Sequence, residues 1–452
     1  MYYSKIIIKI ITLSCIVTSC GKKKLTFNDD ISTIIHQKCA ICHHKNGAGP
    51  FELITYQDVK KRIDMIEFVV QNNYMPPWPA DPEYRHFSQE KCLNKEDKRN
   101  LLNWIKSGAE EGEKNLNNST NFVFNNNKSN KPDLIINLDT TFITNGLNKD
   151  QFLMMKFPFE LPKDTFIRKI EFIPDNRQIV HHVNAHLITY KNNLKDNIFK
   201  GDRIVDTELF SDKEAFKKLD ILNDKGEYPT LTPSVSNYLP GSEQFDYPDG
   251  IGVLQAKKKN IILVNDFHYA PSPYKETDNS YFKIYFSKNP PKRIIHETQL
   301  GTFGISDIKP PLIIPPNEIK TFRTKAIITE NISLLTINPH MHLLGKSFLA
   351  YAVTLKNDTI PLIKIDNWNF RWQYFYTFQK MLKIPAGSEI IVEATYDNTT
   401  NNPDNPFSPP RLISERKDFN GRGSMKTSNE MLQFIINYLK YEEGDEDIIL
   451  GM

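Results

Sequence analysis

The residues best placed to do chemistry come first in Cys39-Ala40-Ile41-Cys42-His43. Two thiols three positions apart, followed at once by a histidine, form the pattern of covalent haem attachment. The thiols add to the two vinyl groups and His43 takes the proximal iron position. A thioredoxin-type redox pair is disfavoured by the adjacent His and by the absence of a βαβ pattern. A zinc site would need a second pair of ligands. The sixth ligand expected is Met75, in Tyr74-Met75-Pro76-Pro77-Trp78. A thioether opposite histidine favours reduced iron, and the two prolines fix the loop that presents the sulfur. Met65 is the rival.

The second constellation is built from histidine and methionine. Six of the 11 His fall in His181-His182-Val183-Asn184-Ala185-His186, Asp266-Phe267-His268-Tyr269 and His340-Met341-His342. Strand residues two apart share a face, so His340 and His342 can converge on one metal. Pro339 marks an edge or a bulge. Adjacent His181 and His182 would point to opposite faces of a regular strand, so joint ligation requires an irregular backbone there. Imidazole with thioether and no thiolate favours copper that cycles between Cu(II) and Cu(I). His36, His44, His86 and His296 belong to no motif and are expected to be solvated.

The elements that carry these groups divide the chain. It has 452 residues, 39% hydrophobic and 25% charged, which is a globular composition. A net charge of +3 on 57 basic and 54 acidic residues gives no reason to expect a nucleic-acid partner. Five Cys rule out a disulfide scaffold, and Cys92 is left as an unpaired thiol without function. Residues 28–112 read as helical, with helices over Asp58–Val70 and Lys95–Lys106. Residues 113–132 form an Asn-rich linker, with eight Asn among 115–130, expected to leave the N-terminal unit on a flexible tether. From Asp133 onward, short alternating runs such as Phe166–Ile173, Ile261–Phe267, Tyr281–Phe286 and Glu389–Tyr396 are punctuated by Pro, Gly, Asn and Asp. These predict strands at sandwich spacing. Their extent calls for two β-sandwiches, 133–300 and 301–447, with the boundary near Lys292–Gly304. The fold class expected is therefore multidomain, a small all-α domain followed by two all-β sandwiches.

At the start, Lys5 and Lys9 flank and interrupt the apolar run Ile6–Val17, which ends in Val17-Thr18-Ser19-Cys20. This run is shorter than the roughly 18–20 residues a membrane helix needs and has the shape of an export signal. Residues 1–20 resemble a bacterial lipoprotein signal in which Cys20 is lipidated. The expected location is the bacterial cell envelope, lipid-anchored and facing periplasm or cell surface.

Two family resemblances follow from these motifs. The stretch Cys39–Gly112, with CHHKNGAGPF, MPPWPAD and NWIKSGAEEG, resembles small bacterial cytochrome c domains. From about Asp133 to Tyr441 the chain resembles the copper type II, ascorbate-dependent monooxygenases, which include peptidylglycine α-hydroxylating monooxygenase and dopamine β-monooxygenase. That likeness rests on EFIPDNRQIVHH, YLPG, YPDGIG, the His-Tyr pair at 268, HMHLLGK, IPAGSEIIVEATYDNTTNNPDNP and TSNEMLQFIINY. It implies jelly-roll type sandwiches holding one copper each across an open, solvent-filled cleft. His181, His182 and His268 would hold the electron-transfer copper. His340, His342 and Met431 would hold the copper that activates O2, and His186 would lie outside both sets. Where the animal peptide enzyme grips its peptide with Arg, Asn and Tyr, this chain has Asn338, Gln433 and Ile435. A family Gln is replaced by Asp266, and the animal disulfides are absent. Peptide amidation is therefore not implied.

Together these readings imply a haem c-linked, two-copper monooxygenase that hydroxylates a C–H bond of an unidentified small molecule or peptide with O2. Electrons would pass from an external donor through haem c to copper. The alternative is a copper- and haem-binding electron-transfer or copper-handling lipoprotein without oxygenase activity. A third reading makes the sandwiches scaffolds of a surface interaction protein.

Overall fold

The computed structural model describes residues 24–113, 131–190, 194–242, 246–415 and 427–451. Cys20 and nearly all of the Asn-rich linker lie outside the described residues. No described helix is long and apolar enough to cross a membrane.

Residues 24–113 carry only short helices. A π-helical turn, Phe27–Ile31, runs into Ser32–Lys38, followed by Tyr56–Lys60, Ile63–Gln71 and Lys95–Lys106. Their inner faces, including Phe27, Ile35, Val59, Leu101 and Trp104, share one apolar cluster, which Leu53 joins from a loop. The helix expected over Asp58–Val70 is two helices. The chain leaves the helical region at Arg62 (φ −124°, ψ 19°), whose guanidinium lies 4.2 Å from the centre of the Phe51 ring. Lys95–Lys106 forms as expected, capped by the Asn94 side chain, which accepts from the Asp97 amide at 2.7 Å.

The rest of the chain is mostly antiparallel β-sheet, as alternating apolar and polar runs dictate when one face is buried. One pair of facing sheets uses strands between 134 and 287, and it packs Phe157, Ile170, Val183, Ile262 and Phe282 between its layers. A second pair uses strands from His296–Gly301 to Gln433–Lys440 and encloses Phe322, Ile337, Phe348, Val392 and Phe434. His296–Gly301 pairs with Gln433–Lys440 and so lies in the second sandwich. The first sandwich also carries one helix, Asp212–Lys218.

The tether expectation is corrected by residues 77–88. This strap leaves the helical unit and lies along Tyr376–Ile384, the edge strand of a sheet in the second sandwich. Asp81 donates its amide to the Lys364 carbonyl (2.8 Å), and Arg85 donates Nε and Nη2 to the Pro361 carbonyl (2.9 and 2.6 Å). Phe87 bridges Phe378, and the Ser88 amide donates to the Thr377 carbonyl at 2.8 Å. An exposed sheet edge is thereby paired. Ala80 and Phe87 join the second sandwich's core. The helical unit is docked, because its own chain completes another domain's core.

Phe87 is fully buried among Trp78, Tyr376 and Phe378. Phe87→Ala is expected to cost about 3–5 kcal/mol and to open residues 77–92 to protease. Denaturant unfolding with limited proteolysis checks both; an unchanged midpoint and cleavage pattern would mean the strap does not dock the unit.

Candidate metal centres

The first centre is made by a backbone irregularity. On the paired strands Val180–Thr189 and Lys259–Tyr269, His268 pairs with His182 and Tyr269 with Val180. His181 is the extra residue, so its ring turns to the same side as its neighbour's. His181, His182 and His268 each offer a ring nitrogen, and these lie within 4.8 Å of one another. His186 points elsewhere and bonds the Thr232 carbonyl (2.9 Å).

The outer nitrogens of two of these rings are held by carboxylates. His182 Nε2 contacts Asp266 Oδ2 at 3.0 Å, and His268 Nε2 contacts Asp150 Oδ1 at 2.7 Å. An ionised carboxylate only accepts, so each Nε2 carries the proton and each Nδ1 presents a lone pair. These two Nδ1 atoms approach to 3.2 Å. Nδ1 of His181 is buried without a hydrogen-bond partner. Three imidazole nitrogens gathered this closely, two of them with lone pairs fixed inward, suit a cation. Burial pushes His268 down to about 4 and His181 well below its usual value, so both rings are neutral and able to ligate at neutral pH. Burial alone would raise Asp266, but the neighbouring imidazoles, His182 foremost, hold it below the usual carboxylate range. The donor set fits copper.

The second centre lies on the second sandwich. His340 ends the strand Ile332–His340, and the rings of His340 and His342 are 5.0 Å apart, nearly perpendicular. His342 Nδ1 donates to the Asn429 carbonyl (2.7 Å), and His340 Nδ1 donates to Gln373 Oε1, so Nε2 is the unprotonated nitrogen of each neutral ring. Met431 is buried and directly follows Glu430 in the chain. The Glu430 carboxylate accepts from the amides of His342 (2.9 Å), Leu344 (2.7 Å) and Met431 (3.3 Å). It therefore ties the histidine turn to the segment that carries Met431. Burial raises its pKa to about 8, opposed by those three amides.

One loop, Phe370 to Tyr374, touches everything. Phe370 lies 6.4 Å from the His268 ring and 5.8 Å from that of His342. Arg371 donates to Asp150 Oδ2 (3.1 Å), and Trp372 lies 5.5 Å from His181. Gln373 holds His340. The hydroxyl of Tyr374 donates to the Pro77 carbonyl at 2.7 Å. The open cleft implied by the resemblance is thus bridged by aromatic side chains. What remains is a cavity of about 160 Å³ whose walls include His182, Asp266, His340, Gln373, Trp78 and Lys91. Asp150, Gln373, Glu430 and the Phe370–Tyr374 loop were not found by reading motifs. Only Glu430, inside the quoted TSNEM, carried any signal.

Asn338 is buried and donates to the Tyr374 carbonyl (3.0 Å), while Gln433 donates to the Thr302 carbonyl (3.1 Å). Both amides hold backbone.

In the helical unit, Cys39 and Cys42 are free thiols. Burial raises both, Cys39 to about 12, so they are uncharged. His43 Nδ1 donates to the Phe51 carbonyl (3.0 Å), which leaves Nε2 unprotonated. A Cβ at position 49 would lie 2.6 Å from the His43 ring, so only glycine lets the chain pass there. Two thiols and an oriented imidazole fit a covalent haem. Met75, two residues before the strap, is 38% exposed, and Met65 is 53% exposed. Cys92 donates to Glu90 Oε1 (3.0 Å).

Residues 308–405 match the family model described as copper type II ascorbate-dependent monooxygenase, C-terminal domain. This part of the chain is a monooxygenase-like module, and such a module implies copper, O2 and a substrate. The match spans His340, His342 and the bridging loop, and it ends before Met431. No curated protein matches the chain.

Two outcomes are expected. In metal-free protein, His268 binds a proton less readily folded than unfolded, so the unfolded state takes up more protons between pH 6.5 and about 4. Stability should fall as pH drops through that window. Copper should shift the fall to lower pH, and His268→Gln should flatten it in thermal melts. Glu430→Ala strands three buried amides, at about 1–3 kcal/mol for each unpaired group. It should also remove the copper–sulfur signal from X-ray absorption while sparing the three-histidine centre.

Proposed function

We propose that the protein is a copper-dependent monooxygenase whose electrons arrive through a covalently bound haem c. The observation that carries this reading is the shared cavity: residues of both candidate copper centres and of the strap from the helical unit line the same space. His181, His182 and His268 hold the electron-transfer copper. His340, His342 and Met431 hold the copper at which O2 reacts, the thioether favouring the Cu(I) state that meets O2. Cys39 and Cys42 would bind the haem covalently, His43 and Met75 would hold its iron and set it up for one-electron transfer, and Cys20 would carry the lipid that anchors the chain in the bacterial envelope.

The overall reaction balances as RH + O2 + 2 electrons + 2 protons giving ROH + H2O. Copper held at the two centres would supply one-electron redox chemistry at each, which makes a one-electron carrier a suitable supplier. This chain's own residues orient the ligands: Asp150 and Asp266 fix two imidazoles by their Nε2 protons, Gln373 and the Asn429 carbonyl fix two by Nδ1, and Glu430 sets the spacing of His342 and Met431.

A second reading, electron transfer or copper handling without oxygenation, is favoured by Asn338 and Gln433, whose amides hold backbone instead of facing a substrate. One experiment separates the two. Copper-loaded, anaerobically reduced protein is mixed with O2 while the haem bands are followed, beside His340→Ala and Met431→Ile. Fast haem reoxidation that requires copper and fails in both variants is the expected result. Equal, slow reoxidation in all three would favour the second reading.

A further inference from the structure

We infer that Tyr374 and Trp372 form the conduit by which an electron leaves the haem edge at Cys42 and reaches the three-histidine centre at His181. This rests on the function proposed above.

The geometry is continuous. Cys42 packs on the first sandwich, where a Cβ at Gly241 would lie 2.6 Å from its Sγ and 3.6 Å from Cε of Lys91. Lys91 Nζ lies 4.8 Å from the centre of the Tyr374 ring and 5.6 Å from that of Trp78. Tyr374 is thus within one buried side chain of the haem-attachment thiol. From there the rings of Tyr374 and Trp372 are stacked, 6.2 Å apart with 13° between their planes. Trp372 then meets His181 at 5.5 Å. His181 is the one ligand of its centre whose outer nitrogen no carboxylate takes up among the hydrogen bonds described, so the chain of rings enters through the ligand left open for it.

The rings act as a packed bridge and are not themselves oxidised. Oxidation of Tyr374 would require loss of its proton, yet its hydroxyl is buried and donates to the Pro77 carbonyl (2.7 Å). That bond also fixes the ring to the segment that carries Met75. The step moves one electron from Fe(II) to Cu(II), giving Fe(III) and Cu(I), with no bond made or broken and no proton transferred. The clamp from Lys91 places a positive charge beside the path, which favours the approach of an electron and disfavours a hole on either ring.

The test uses the full chain in detergent, with haem quantified as pyridine haemochrome and Cu(II) by its EPR spectrum. The haem is reduced by a flash-generated flavin semiquinone without O2, and its reoxidation by Cu(II) is followed. A first-order phase independent of protein concentration is expected. Trp372→Leu should slow it several-fold with the Cu(II) spectrum and haem potential unchanged, Trp372→Phe should retain most of the rate, and Tyr374→Phe should leave it intact. If Trp372→Leu loses copper, Tyr374→Leu reads the same step. An unchanged rate in the leucine variants overturns the conduit while the proposed function stands. A large loss in Tyr374→Phe overturns the bridge role of the ring. Absence of covalent haem or of the Cu(II) signal in the unmodified chain removes the proposed function and the conduit with it.

Discussion

The arrangement depends on the Phe370–Tyr374 loop, five consecutive residues that between them meet both candidate centres and the strap. The segment opens in a tight turn, in which the Trp372 amide donates to the Asn369 carbonyl (2.9 Å), and reversing the chain there lets so short a stretch face two sandwiches and the strap at once. Arg371 crosses to Asp150 of the first sandwich, Gln373 stays with His340 of the second, and the Tyr374 hydroxyl reaches Pro77. The two candidate centres and the helical unit therefore have fixed separations set by one loop.

Around that loop, charge is placed where it orients without binding. The buried imidazoles of His181 and His268 are kept neutral by desolvation, and carboxylates lie on the far side of His182 and His268. Such carboxylate–imidazole pairs fix tautomer and raise basicity, so the lone pairs are preorganised toward one point. Glu430 does the same work for the backbone of the second centre. Its carboxylate lies fully buried against three amides, a cost tolerated because those amides would otherwise be unpaired.

Much of this was legible without a structure. Lys95–Lys106 and the strands around Phe166–Ile173 and Tyr281–Phe286 follow from periodicity, because local pattern and tertiary burial agree there. The irregular backbone at His181-His182 was also readable, since side-chain alternation forbids two adjacent ligands on one face without it. The helix expected across Asp58–Val70 failed at Arg62, where contact with Phe51 outweighs helical propensity. The flexible tether failed because Ala80 and Phe87 look like loop residues until the sheet edge they cover is known.

The sequence by itself determined the ligand chemistry: which residues are imidazole, thiol or thioether, and how far apart along the chain they fall. It also determined the alternation that makes strands of most elements after residue 133. Only the tertiary structure decided that Asp150 faces His268, that Gln373 faces His340, and that Trp372 stands between Tyr374 and His181. Asp150 and His268 are 118 positions apart, His340 and Gln373 are 33 apart, and His181 and Trp372 are 191 apart, and no local pattern records them. They arise from how two sandwiches and a strap close on one loop, a packing outcome fixed by the whole core at once.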